Sequence, residues 1–373
     1  MIEIIELKSK KDLKKFIDFQ WLVYKNDPYW VPPLKNDLMK TLLGKDNPLF
    51  KEGEHAFFMA YLDGNPAARI CVGINKGINE KKNVKEGYIS LFESINNKEA
   101  AFAMFDKAES WLRERGMKVI KGPLSPTNGD DYKGLLVKGF DGTPVLMNSY
   151  NPEYYTVFFN EYGFNKHLDL YAYYHDMDSA VNIEKNRKII EYAMNRYNFK
   201  LDTINLKNLD NEARDIKAVM DIAMPDDWEE LTPPTLEEVK AEISRLRQLA
   251  DKDLIVIARS EGKPIGFLIA LPDYNQVLKK INGKLFPLGA IKFLWYRKKI
   301  TGLRIFVMFV IPEFRKKAVS GAMLYKCYEN ALENGYKYGE GSTIGENNHA
   351  MRNDIEKTGG LLYRIYRLYK KEI

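Results

Sequence analysis

The chain states one structural plan twice, and this repetition constrains its fold more than any single motif. Ile2-Glu3-Ile4-Ile5-Glu6-Leu7-Lys8 precedes a helical stretch over 11–24, and Leu201-Asp202-Thr203-Ile204-Asn205-Leu206-Lys207 precedes another over 210–220. An apolar run at 56–62, the turn Asp63-Gly64-Asn65-Pro66 and a second run at 67–72 read as a β-hairpin. The same order returns as 254–258, Glu261-Gly262-Lys263-Pro264 and 265–270. Tyr162-Gly163-Phe164 leads into an aromatic strand over 168–174, and Thr358-Gly359-Gly360 into one over 361–369. A duplication accounts for all of these echoes together.

Composition sets the class. At 373 residues the chain can hold two domains, each with its own core. Its 45% hydrophobic and 29% charged residues place it among globular proteins rather than disordered or fibrous ones. A net charge of +6 without a dense basic stripe argues against a nucleic-acid partner. Cys71 and Cys327 each sit in an apolar pattern and suggest no disulfide framework. Acid at Glu3 stands where a signal peptide would be basic, and no apolar stretch has the length of a membrane span. The chain is therefore expected to be cytoplasmic.

The expected organisation is a first domain over 1–176, a connecting helix within 177–199 and a second domain over 200–373. In the first, Ala101, Phe105, Ala108 and Leu112 share one helical face, a strand follows at 118–121, and 122–131 reads as a loop. Residues 220–235 also read as a loop, and a helix follows over 236–249. The stretch 285–300 is aromatic and basic and is expected to pack as a capping helix.

The most chemical segment follows a buried strand over 304–311. Pro312-Glu313-Phe314-Arg315-Lys316-Lys317-Ala318-Val319-Ser320-Gly321-Ala322 opens a helix striped by Met323, Leu324, Cys327, Tyr328 and Ala331. Free amides at a helix N-terminus point at an anion, and the helix dipole reinforces them.

In Val310-Ile311-Pro312-Glu313-Phe314-Arg315 the segment resembles the pyrophosphate loop of the GNAT superfamily of acyl-CoA-dependent N-acetyltransferases. Ala318 and Ser320 stand where that family has glycines, and Gly321 comes one place late. The sequence Asn347-Asn348-His349 is similar to the opening of the family's last helix, whose frequent general-acid tyrosine is matched here by Ile355. Further motifs, Asn26-Asp27-Pro28-Tyr29-Trp30, Lys121-Gly122-Pro123 and Tyr150-Asn151-Pro152, resemble a bacterial tandem-GNAT branch. The resemblance implies an α/β fold in tandem, with mixed central sheets flanked by helices. It implies acetyl-CoA or another acyl-CoA as co-substrate, held by Arg315, Lys316, Lys317, Ala318, Val319, Ser320, Gly321, Ala322 and Asn348. Backbone amides near Phe309 and Ile311 would bind the thioester carbonyl, and Glu340 is the candidate base. With Ile355 at the tyrosine position, transfer would rest on positioning and on the oxyanion amides.

The corresponding first-half segment, Phe92-Glu93-Ser94-Ile95-Asn96-Asn97-Lys98-Glu99, lacks glycine and carries two carboxylates that would repel phosphate, so cofactor is expected only in the second half. The four histidines are scattered without metal-ligand spacing, and no metal is expected. The leading function is N-acyl transfer to a small-molecule or peptide amine held between the domains. The alternatives are a non-catalytic ligand- or partner-binding protein and an aminoacyl-tRNA-dependent transferase.

Overall fold

The structure is a computed structural model that describes every residue except 46, 48, 51, 52, 128, 130, 179–182, 225–232 and 248. Its strands in the first half are β1 (Ile2–Glu6), β2 (His55–Leu62), β3 (Asn65–Gly73), β4 (Glu86–Ser94), β5 (Val119–Gly122), β6 (Leu135–Lys138) and β7 (Asn165–Asp176). Those in the second are β8 (Lys200–Thr203), β9 (Ile255–Ser260), β10 (Lys263–Pro272), β11 (Gly302–Val310), β12 (Tyr338–Gly345) and β13 (Leu361–Glu372).

Both expected hairpins form, and their turns explain why. Asp63 and Gly64 have φ of 49° and 80°, and Glu261 and Gly262 have 51° and 77°. Two consecutive positive φ angles give the turn whose twist matches paired strands. The helix Lys98–Arg113 buries Ala101, Phe105, Ala108 and Leu112 as its spacing predicts, and helix Val319–Glu333 buries Met323, Cys327 and Ala331. Cys71 and Cys327 are buried free thiols. A helix forms at Ile183–Arg196, within the span expected to connect the halves, residues 181 and 182 lying outside the described residues. Helix Leu209–Ala223 runs into the loop expected at 220–235, of which 225–232 are likewise not described.

All these strands join one mixed sheet in the order β1-β2-β3-β4-β5-β13-β7-β12-β11-β10-β9-β8, with β6 paired to β13. The two halves therefore meet edge to edge, and their closing strands are exchanged. The first half's β7 lies against β12, while the chain's last strand β13 lies against β5 and β6. Apolar cores cover both faces of each half, and Tyr369 of β13 belongs to the first half's core.

The strand pairs β4/β5 and β11/β12 are parallel. The second is paired only from Gly302 opposite Tyr338 to Ile305 opposite Gly341. Beyond that point β11 keeps only β10 as a registered neighbour, so a fork opens toward the C-terminal ends of β11 and β12.

Candidate active site

At the base of this fork stands Glu340, which is 0% exposed. Strand β12 lies between β7 and β11, so Glu340 is interior rather than on an edge. Glutamate on a strand is ordinarily solvated, and this one is enclosed. Its Oε1 accepts from Asn148 Nδ2 and Ser342 Oγ, and its Oε2 accepts from the Tyr363 hydroxyl. These partners come from a first-half loop, from β12 and from β13, so both halves build the cluster. Burial and the Glu340 carboxylate push the Tyr363 hydroxyl far above its ordinary pKa, which keeps it protonated and donating.

The loop carrying Asn148 is held from several sides by buried polar groups. Arg304, in register with Glu340 on the neighbouring strand, donates Nη1–H to Leu146 O at 2.8 Å and Nη2–H to Ser342 O at 3.3 Å. Arg364 donates to the carbonyls of Gly139, Gly142 and Thr143 at 3.0, 2.7 and 3.1 Å. Asp273 accepts from Leu146 N–H and from the Tyr338 hydroxyl, both at 2.9 Å, and burial pushes its carboxyl up to about 6. Arginine suits this work because its planar fork can satisfy several carbonyls at once.

The open end of the fork leads to the basic loop. After the turn Pro312–Phe314, Lys316 and Ala318 take φ of 62° and 61°. Ala318 thus holds, at a steric cost, the left-handed conformation that glycine adopts freely. Left-handed residues alternating with ordinary ones turn successive amides toward a common centre, which makes an anion nest. The amides of Val319, Ser320 and Gly321 follow as the first-turn donors that have no acceptor within their helix. A Cβ built on Gly321 meets nothing within 4 Å, so the approach is open.

Not every expected residue faces this nest. Arg315 is turned aside: its Nη2–H donates to Ala223 O at 2.9 Å and its Nε–H to Val310 O at 3.3 Å. Lys316 is exposed, and the ammonium of Lys317 sits 4.4 Å from the centre of the Phe314 ring. Val319 and Ala322 are buried beneath the loop and can offer only backbone. Ile311 N–H donates to Ile265 O at 3.0 Å and is not free for a thioester. Strand alternation turns the amide of Phe309 the same way, so those of Met308 and Val310 face the fork. Asn348 caps the helix His349–Lys357 by accepting from Met351 N–H at 3.2 Å.

Two curated relatives match essentially the full length. A bacterial ceramide synthase of Caulobacter vibrioides is 28% identical over 380 residues, covering 100% of this chain and 98% of the relative. Protein YghO of Escherichia coli is 28% identical over 376 residues, covering 98% and 94%. No protein-family model matches the chain. Among solved structures, a tandem GNAT protein from the clavulanic acid biosynthesis pathway superposes with a TM-score of 0.59 at 10% identity, covering 100% and 98%. The chain has a tandem GNAT fold. A GCN5-related N-acetyltransferase from Sphaerobacter thermophilus agrees with it, at a TM-score of 0.55, 12% identity and coverage of 100% and 95%.

Within the GNAT fold the first half presents a different picture at the corresponding place. Glu93 lies within β4 rather than on a loop, and it is buried. It accepts from the hydroxyls of Tyr24 and Tyr155 at 2.7 and 2.8 Å and from Gln20 Nε2 at 3.2 Å, with Arg69 Nη2 at 3.7 Å. The expected phosphate repulsion therefore cannot come from Glu93, which is spent in the core, and of the two carboxylates only Glu99 is exposed.

Ile355 is buried, and its side chain packs closely over Gly341 and Gly360. The hydroxyl nearest the carboxylate is instead that of Tyr363 on β13. Sequence reasoning missed Asn148, Ser342 and Tyr363 as one cluster with Glu340. The only signal was the alternation that puts Glu340 and Ser342 on one face of β12. Among the described residues no group of three His, Cys, Asp or Glu side chains is placed to hold a metal, and no helix is long and apolar enough to cross a membrane.

Proposed function

We propose that the protein is an acyl-CoA-dependent N-acyltransferase whose site is the fork between β11 and β12. The observation that carries this reading is the alignment of two features along one fork: an amide nest at its open end and the Glu340–Tyr363 pair at its base. An acyl-CoA, when bound, supplies an acyl carbon activated as a thioester. The amides of residues 318–321 and the ammonium groups of Lys316 and Lys317 would hold its phosphates. The amides of Met308 and Val310 would accept the negative charge that develops on the thioester oxygen.

The chain's own part is to orient the amine and move one proton. As the amine nitrogen bonds to the acyl carbon and the C–S bond breaks, the Tyr363 oxygen takes the amine proton and passes its own to Glu340 Oε2. The thiolate leaves with the bonding pair and is protonated from solvent. Tyr363 is the partly exposed member of the pair and Glu340 the buried one, which suits this order.

The acceptor class we propose is a long-chain amino alcohol. A ceramide is the N-acyl derivative of such an amine, and the ceramide synthase of Caulobacter vibrioides is similar along its whole length. The test is to incubate the full chain with a long-chain acyl-CoA and sphinganine, and separately with short soluble amines, and to follow the N-acyl product by mass spectrometry. Product that is lost in Tyr363→Phe and Glu340→Gln is expected. Absence of product with every amine, together with no heat on titration with acyl-CoA, refutes the reading. The complete enclosure of Glu340 favours one second reading, a non-catalytic binder, in which Glu340→Gln would lower stability and leave acyl-CoA binding intact.

A further inference from the structure

The segment joining β10 to β11 carries a helix that is apolar on both of its faces. Phe293 and Tyr296 of helix Gly289–Tyr296 point inward, Phe293 stacking on Tyr274 with ring centres 5.5 Å apart. To this extent the capping-helix expectation is correct. The opposite face is not polar, as a surface helix requires. Leu288, Ile291, Leu294 and Trp295 are 67%, 67%, 59% and 55% exposed, and Phe286 just before them is 73% exposed. Successive steps of about 100° place Leu288, Ile291, Leu294 and Trp295 on one outward arc. A helix that is hydrophobic all round is normally buried, and nothing among the described residues covers that arc.

The charge along this segment has one sign. Between Asp273 and Glu313 there is no acidic residue, while Lys284, Lys292, Arg297, Lys298 and Lys299 flank the apolar side chains and are all exposed. Lys299 lies over the Trp295 ring at 3.5 Å. Apolar residues with a tryptophan, bordered by flexible cations, suit a layer whose surface is anionic and whose interior is hydrocarbon.

The base of the segment is fixed to the candidate site. Gln276 donates to the Tyr338 hydroxyl at 2.9 Å, and Asn275 Nδ2 donates to Pro144 O at 2.8 Å in the loop that carries Asn148. Trp21 Nε1–H donates to Asn282 Oδ1 at 2.9 Å, tying the segment to the first half as well.

We infer that this face docks the protein on an anionic lipid bilayer, with the Phe286–Trp295 side chains entering the interface beside the interdomain site. The docking is a binding property, read without turnover, so it stands or falls separately from the acyl-transfer reading.

The experiment is co-sedimentation of the full chain with vesicles of equal parts phosphatidylglycerol and phosphatidylcholine. Binding is expected at low salt, weaker at high salt and weaker on pure phosphatidylcholine, with a blue shift of fluorescence that Trp295→Phe diminishes. The double variant Ile291→Glu/Leu294→Glu should lose at least about tenfold in partition. Its fold, checked by circular dichroism, should be unchanged because both side chains are exposed. No partition of the wild type, equal partition of the double variant, or equal binding to neutral vesicles overturns the inference. So does self-association abolished by the same double variant without any effect of lipid, which would assign the face to a second copy of the chain.

Discussion

The exchange of closing strands makes an energetic claim that one substitution can test. Tyr369 belongs to the last strand of the chain, yet its fully buried ring packs on Phe159 of the first half, with centres 5.1 Å apart. Truncating a buried aromatic to alanine costs about 3–5 kcal/mol, from lost transfer energy and from the cavity left behind. Within a total stability of about 5–15 kcal/mol this is a large share. Since about 1.4 kcal/mol corresponds to a factor of ten, Tyr369→Ala should speed exchange through cooperative opening roughly a hundredfold or more.

The location of that change is the discriminating point. Hydrogen exchange followed by mass spectrometry on the full chain should show the loss of protection in the helices Lys98–Arg113 and Tyr154–Glu161, more than two hundred positions away in sequence. Leu361→Ala at the start of the same strand removes a side chain that is 67% exposed and should change stability by less than about 0.5 kcal/mol. If Tyr369→Ala loosens only peptides from 200–373, the exchange is wrong. By the same reasoning a fragment of residues 200–373 lacks β7, the strand that joins β12 to β13, and should fail to give a cooperative denaturation transition.

Three further outcomes follow from the site. Glu340→Gln and Tyr363→Phe should each lower kcat of acyl transfer by about 10²–10⁴, and the double variant should fall little further, because a proton relay acts as a unit. Asp273 has a folded-state pKa raised to about 6 from an ordinary value of about 3.9, so the folded state holds its proton more tightly. That contribution is present below about pH 4 and lost as pH rises through about 6. Urea denaturation of wild type relative to Asp273→Asn should therefore show a wild-type loss of up to about 3 kcal/mol across this window, and equal differences at pH 4 and 7 would refute it. Gly321→Glu, placed where added atoms meet open space, should weaken acyl-CoA affinity at least about tenfold in calorimetry, through repulsion between its carboxylate and the phosphates, without lowering the melting temperature, since a carboxylate in a first helical turn is favourable.

Much of the local structure was legible in the sequence because short-range rules decide it. Asp63-Gly64 and Glu261-Gly262 form the expected hairpin turns through their own backbone preferences. The spacing of Ala101, Phe105, Ala108 and Leu112 marks a buried helical face before any partner is known. The run from Val310 to Arg315 signals a strand entering a basic loop, and the structure adds that Ala318 takes the conformation a glycine would otherwise supply.

The tertiary structure alone decided which closing strand belongs to which half. The stretches 168–174 and 361–369 are both aromatic and apolar, and either satisfies the local requirements of a central strand. Strand partners are chosen by burial and by the reach of connections across the whole chain, which no local pattern records. The same exchange brings Tyr363 to Glu340, and a loop from the first half adds Asn148. One position in a sequence does not reveal the neighbours of Glu340. Glu340 becomes a buried carboxylate with three donors only when both halves close around it.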